Sequence, residues 1–173
     1  YETGFTNPID EAIRTHRQFD LSGYRKADEI PYDFLRKRLS ILVAHGDTHL
    51  MITKGALANV LAVCSTAEIG AGTLVDIAVV RDRIQQRFEE LGSKGFRTLG
   101  VAYKNMGSEW LIGKDQEAAM TFLGFLVLFD PLKPNITETI ASLKNLGVAL
   151  KIITGDNHLV AANVSKQMGL SST

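Results

Sequence analysis

One cysteine, Cys64, cannot close a disulfide within the chain, and four prolines among 173 residues leave no Pro-rich linker. A reducing compartment such as the cytosol fits that cysteine usage. Neither sign of charge is in excess, because 19 Lys and Arg balance 19 Asp and Glu. No global field draws a polyanion, so nucleic acid is not the expected partner. Long apolar runs are missing as well: Phe125-Leu126-Val127-Leu128-Phe129 falls far short of the ~20 residues that cross a bilayer. No signal-like start is visible, and a first residue Tyr1 suggests an excised fragment.

Familiar catalytic signatures are absent too. Between Gly107 and Gly113-Lys114 the glycines are one residue too far apart for a Walker loop, and Asp115 stands where a magnesium-binding hydroxyl belongs. The pair of aspartates one residue apart, used by hydrolases that form an aspartyl-phosphate, occurs nowhere. His16, His45, His49 and His158 are scattered without a carboxylate and cysteine set, which reads as surface or structural histidine.

What is present is an ordinary globular pattern with room for one full core and the beginning of a second. Asn7-Pro8 opens a helix to about Arg17, with Asp10 and Glu11 at its positive end and Ile9, Ala12 and Ile13 on one stripe. Leu39 to Ala44 and Thr48 to Thr53 flank His45-Gly46-Asp47 as a hairpin. Gly55-Ala56 breaks the second strand, and Leu57, Val60, Leu61 and Cys64 recur at helical spacing. A longer amphipathic helix spans 76–94, stopped by Gly95. Strands follow at 97–103 and 121–129, with a loop at Met106-Gly107.

At Asp130-Pro131-Leu132-Lys133-Pro134 the pattern tightens, and a domain boundary is expected there. Beyond it come a helix carrying Ile136, Ile140, Leu143 and Leu146, a strand from Val148 to Ile153, the turn Thr154-Gly155-Asp156-Asn157 and a last helix. Helix, parallel-type strand and helix make one piece of a doubly wound sheet without its other strands.

Local spacing leaves two readings of the central motif. Tyr32 and Phe34 precede the basic run Arg36-Lys37-Arg38, and the hairpin ends in Lys54-Gly55-Ala56. The basic run is a nucleic-acid patch or a solvated strand edge. Aromatic, cation and glycine either meet around a purine and its phosphates, or serve as core, surface and strand break.

Six strings in order now resemble one family, the nucleotide-binding domain of P-type cation-transporting ATPases. They are Asn7-Pro8-Ile9-Asp10, the segment from Pro31 to Ser40, Lys54-Gly55-Ala56, Gly95-Phe96-Arg97-Thr98-Leu99, Asp130-Pro131-Leu132-Lys133, and Thr154-Gly155-Asp156-Asn157. Among subfamilies, Pro31 to Ser40 and Asp156 to Gly169 are most similar to bacterial magnesium-transporting pumps.

The resemblance implies an α/β fold, a twisted, mostly antiparallel sheet flanked by helices over residues 1–129. Residues 130–173 would be a partial segment of the haloacid-dehalogenase-like phosphorylation domain. It implies ATP, carried with Mg2+, as the ligand. Asp10 would accept from the adenine amino group and Tyr32 would stack on the base, with Phe34 as the other aromatic of the motif. Lys37 and Lys54 would line the pocket, Gly55 and Ala56 would let the ligand approach the chain, and Arg97 would reach the phosphates. Thr154, Gly155 and Asp156 would approach the terminal phosphate. Without the resemblance, Asp10 is equally a helix-start carboxylate and Arg97 a strand-edge charge.

The Asp-Lys-Thr-Gly-Thr segment that carries the phosphorylated aspartate of this family is not in the sequence, nor is the later Gly-Asp-Gly-x-Asn-Asp segment. The implied role is therefore delivery of ATP without turnover by this chain. It would act as a monomeric domain on the cytoplasmic face of the plasma membrane, working with the phosphorylation and actuator domains of a parent pump. The alternatives are an interaction module of the same fold without nucleotide binding, and a free-standing haloacid-dehalogenase-like hydrolase.

Overall fold

A computed structural model describes residues 8–70, 72–154 and 157–170. Asn7, expected as a helix cap, and Gly155 and Asp156 of the last turn lie outside the described residues. Helix α1 (Pro8–His16) has Asp10 and Glu11 in its first turn and Arg14 and His16 in its last, charges that complement the helix dipole at both ends. None of its residues is fully buried.

Strands β1 (Tyr24–Asp33), β2 (Arg38–His45) and β3 (Thr48–Gly55) form an antiparallel meander. In β2 and β3, His45 faces Thr48 across a two-residue turn, and Gly46 takes φ +57°, the left-handed region that glycine enters without steric cost. β3 shows strict alternation, with Leu50 and Ile52 half-buried between the buried His49, Met51 and Thr53.

The helix expected from Leu57 to Cys64 is shorter: α2 spans Leu57–Leu61, and Cys64 begins strand β4 (Cys64–Ile69). Cys64, three residues past the end of α2, keeps a helix-like link, its thiol donating to the Val60 carbonyl at 3.2 Å. β5 (Thr73–Asp76) pairs antiparallel with β4. Helix α3 (Ile77–Ser93) follows, and the left-handed Gly95 (φ +83°) comes just after its end. β6 (Arg97–Gly107) outruns the expected strand. A register shift opposite His49 and Leu50 absorbs Met106, so the presumed loop is a bulged strand end.

β7 (Met120–Leu128) completes a seven-stranded sheet in the order β1-β2-β3-β6-β7-β4-β5. β4 and β7 run parallel, whereas β1–β2, β2–β3, β3–β6 and β4–β5 are antiparallel. The fold is thus an open α/β sheet flanked by helices. Leu42, Met51, Val60, Ala102 and Met120, all fully enclosed, form the centre of its core.

Contacts divide the chain into two compact units, residues 1–82 with 99–126, and residues 83–98 with 127–173. The second unit thus takes in the C-terminal part of α3. Within it stand α4 (Ile136–Asn145) and α5 (His158–Gln167). Asn157 caps α5 by accepting from the Leu159 amide, and the Asn163 side chain donates to the Ser93 carbonyl at 2.7 Å. The strand expected at 148–153 is not formed. Ile153 is almost fully exposed, and an apolar run becomes a strand only where another strand offers its hydrogen bonds.

Candidate functional site: a cavity at the β1–β2 turn and the end of β3

The chain leaves β1 at Asp33, whose carboxylate accepts from the amides of Leu35 (3.0 Å) and Arg36 (2.6 Å) and pairs with the Arg36 guanidinium. The Lys37 amide donates to the Asp33 carbonyl at 2.8 Å and closes the turn. These bonds, the Arg36 amide first, hold the Asp33 carboxyl down to about 2. Lys37 itself sits at φ +50°, where non-glycine residues are uncommon.

The turn is fastened to β3. Gly55 faces Arg38 in register, and the Ala56 amide donates to the Lys37 carbonyl at 2.9 Å. A Cβ on Gly55 would stand 2.6 Å from Arg38 Cβ and nearer still to the Lys37 carbonyl oxygen. Glycine is therefore required here by the protein's own backbone, whatever a ligand also needs.

Around this junction Tyr32, Lys37, Lys54, Gly55 and Ala56, with Ile9, Leu39 and Leu99, line a cavity of about 290 Å³. Five of the residues expected to contact nucleotide are brought together there. Tyr32 is half-exposed, while Phe34 is largely exposed and does not line the cavity. Phe34 instead meets the Tyr32 ring edge-on, centroids 5.6 Å apart. Asp10 adjoins through Lys54, whose ammonium donates to its carboxylate. Lys54 and Leu39 also border a larger, mainly apolar cleft of about 700 Å³, with Asp10, Ile13, Phe19 and Ile52 among its walls.

Arg97 and Thr154 belong to the second unit. Arg97 lies 3.6 Å from Asp130, and Thr154 is exposed. Gly155 and Asp156 have no described position.

The basic run fits neither reading left open by its sequence. Arg36 and Arg38 turn inward onto Glu117, at 2.6 and 2.9 Å, and only Lys37 faces the cavity. Glu117 was not singled out from the sequence. A single acid between a polar turn and an apolar strand gives no local signal, and its partners are about eighty residues away in the chain. Burial pushes the Glu117 carboxyl up. Hydrogen bonds from Arg36 and Ser40, with the charges of both arginines, outweigh it and leave the group below its ordinary value.

An aromatic face, two ammonium groups and an approachable backbone suit a planar base bearing anionic phosphates. Among the described residues no group of three His, Cys, Asp or Glu could hold a metal ion, and no helix is long and apolar enough to cross a membrane.

Comparison with known proteins points the same way. The profile of the family described as P-type ATPase, cytoplasmic domain N, matches residues 12–135. The "Magnesium-transporting ATPase, P-type 1" of Escherichia coli (strain K12) is 31% identical over 179 residues, covering 99% of this chain and 20% of that protein. The protein of the same name from Salmonella typhimurium (strain 14028s) is 34% identical over 182 residues, with the same coverage. "Calcium-transporting ATPase PAT1" of Dictyostelium discoideum is 29% identical over 156 residues, covering 87% of this chain and 14% of its own. The chain spans about a fifth of the length of the curated magnesium-transporting relatives it matches.

Proposed function

Because the chain belongs to the P-type ATPase cytoplasmic domain N family, we propose that it binds ATP in the 290 Å³ cavity and presents it for transfer of the γ-phosphoryl group to an aspartate outside this sequence. Convergence of Tyr32, Lys37, Lys54, Gly55 and Ala56 on that one cavity is the observation that carries the reading. Tyr32 stacks on the adenine, Lys37 and Lys54 offset phosphate charge, and Asp10 accepts from the exocyclic amino group once Lys54 turns toward the nucleotide. The contribution to catalysis is positioning and charge stabilisation, so the chain alone has no turnover. Mg2+ arrives bound to the phosphates and supplies charge neutralisation there.

The parent protein, on this reading, is a cation pump, with magnesium the ion suggested by the names of the relatives. The domain works as a monomer on the cytoplasmic face of the plasma membrane, against phosphorylation and actuator domains. Residues 130–173 are a segment of that phosphorylation domain. The exposed apolar stretch Leu150, Ile152 and Ile153 fits a strand whose neighbours are elsewhere. Arg97, Thr154, Gly155 and Asp156 act on the phosphates in that assembled state.

Titration with ATP, AMP and GTP followed by backbone amide shifts tests the reading. Adenine-selective shifts at Tyr32, Lys54 and Ala56 are expected. Silence at millimolar nucleotide, weaker than about 4 kcal/mol of binding, would favour an interaction module that has lost the ligand.

A further inference from the structure

Both oxygens of the Glu117 carboxylate are engaged, and the side chain has no exposure at all. Oε1 accepts from Arg36 Nη1 at 2.6 Å and from Ser40 Oγ at 2.7 Å. Oε2 accepts from Arg36 Nη1 at 2.7 Å and from Arg38 Nε at 2.9 Å. A buried carboxylate is tolerated only when paired in this way, and removing the carboxylate takes from both arginines the group they turn inward to meet. Its donors are the two residues on either side of Lys37.

Lys37 adopts a left-handed backbone conformation that persists only where its surroundings over-determine it. The flanking arginines add to the constraint that the backbone bonds from Lys37 to Asp33 and from Ala56 to Lys37 impose. Arg36 is held by Glu117, by Asp33 and by the Pro31 carbonyl at 2.7 Å. Arg38 is held by Glu117 and by the Asn59 carbonyl at 3.2 Å. Glu117 is itself fixed, since Lys104 Nζ donates to the carbonyls on both sides of it, Gln116 at 3.2 Å and Ala118 at 2.9 Å.

We propose that Glu117 is a positioning residue for nucleotide binding: by clamping Arg36 and Arg38 it sets the backbone of Lys37, and so the place of the Lys37 ammonium in the cavity. Glu117 does not line the cavity and touches no ligand there. The proposal rests on the nucleotide reading of that cavity.

A double-mutant cycle on the whole chain tests it, with ATP affinity measured for the wild type, Glu117→Gln, Lys37→Ala and the combination. Thermal midpoints and the amide-to-Hα scalar coupling of Lys37 are recorded on each protein that retains Lys37. Tyr103→Phe, which loses a 2.6 Å bond to Glu68 away from the cavity, controls for general destabilisation. The expected result is roughly tenfold weaker ATP binding in Glu117→Gln, little further loss on adding Lys37→Ala, and a Lys37 coupling that departs from its left-handed value. Additive losses, or an unchanged Lys37 coupling with unchanged affinity, would overturn the positioning role. If Glu117→Gln fails to fold, Arg36→Lys replaces it, removing the two-oxygen grip while Arg38 and Ser40 still satisfy Glu117. No ATP binding by the wild type overturns the cavity reading and this role together, whereas wild-type binding with an unmoved Lys37 in the variant overturns the role alone.

Discussion

Lys54 at the end of β3 donates to the carboxylate of Asp10 on α1, an ion pair largely shielded from solvent at the edge of two cavities. α1 buries none of its residues completely, so this link adds to the attachment that its half-buried Ile9 and Ile13 provide. Asp10→Asn is expected to leave the sheet intact while raising hydrogen exchange throughout α1. An α1 as protected as in the wild type would show that the pair does not hold the helix.

Lys54→Ala is expected to weaken ATP binding at least tenfold, because a charge-assisted hydrogen bond is worth about 1.5–3 kcal/mol. Calorimetric titration of the two proteins measures it. An equal affinity would remove Lys54 from the ligand's contacts.

Tyr32 and Phe34 separate by substitution. Stacking of a base on an aromatic side chain is worth about 1–3 kcal/mol, so Tyr32→Ala loses that much adenine affinity and Tyr32→Phe keeps most of it. Phe34→Ala, altering a ring outside the cavity, has the smaller effect. Competition between ATP and GTP gives the ranking, and a larger loss at Phe34 would reverse the assignment.

Acid removes stability at a defined place. Asp33 is lowered to about 2 from 3.8, so its contribution is complete above pH 3.8 and disappears as pH falls through 2. Glu117 is lowered from 4.5, so its contribution is present above that pH and fades below it. Thermal midpoints measured from pH 6 to pH 2 are expected to fall steeply below about 4.5, less so in Asp33→Asn.

Two glycines of one hairpin should respond differently to alanine. At Gly46 nothing lies within 4 Å of an added Cβ, and the cost is that of a left-handed backbone, about 1–2 kcal/mol. At Gly55 the Cβ meets Arg38 and the Lys37 carbonyl, so the β1–β2 turn must move and ATP affinity falls with stability. Denaturant unfolding with a parallel titration distinguishes them, since Gly46→Ala leaves affinity unchanged.

Elements whose cause is local could be read from the residues. The β2–β3 hairpin follows from alternation around a glycine turn, and α3 from its apolar spacing and Gly95. Sequence strings also singled out, as expected contacts, five of the eight residues lining the smaller cavity. What depends on distant partners could not be read. β4 beside β7 is a parallel pairing that neither strand announces, and Glu117 gains its meaning only from Arg36 and Arg38. The apolar stretch at 148–153 shows the converse, since periodicity reports a tendency to be covered and is silent on whether a neighbour is there.

The strand order also has a consequence in time. β6 and β7, made last among the strands, occupy the middle of the sheet between β3 and β4. During synthesis the β1–β3 meander and the β4–β5 hairpin emerge first, each with an unpaired edge, and neither can join the other until residue 128 has left the ribosome. Such long-range closure is slow and exposes strand edges meanwhile. A chain stopped short of β7 would therefore be two aggregation-prone halves, not a smaller version of the domain.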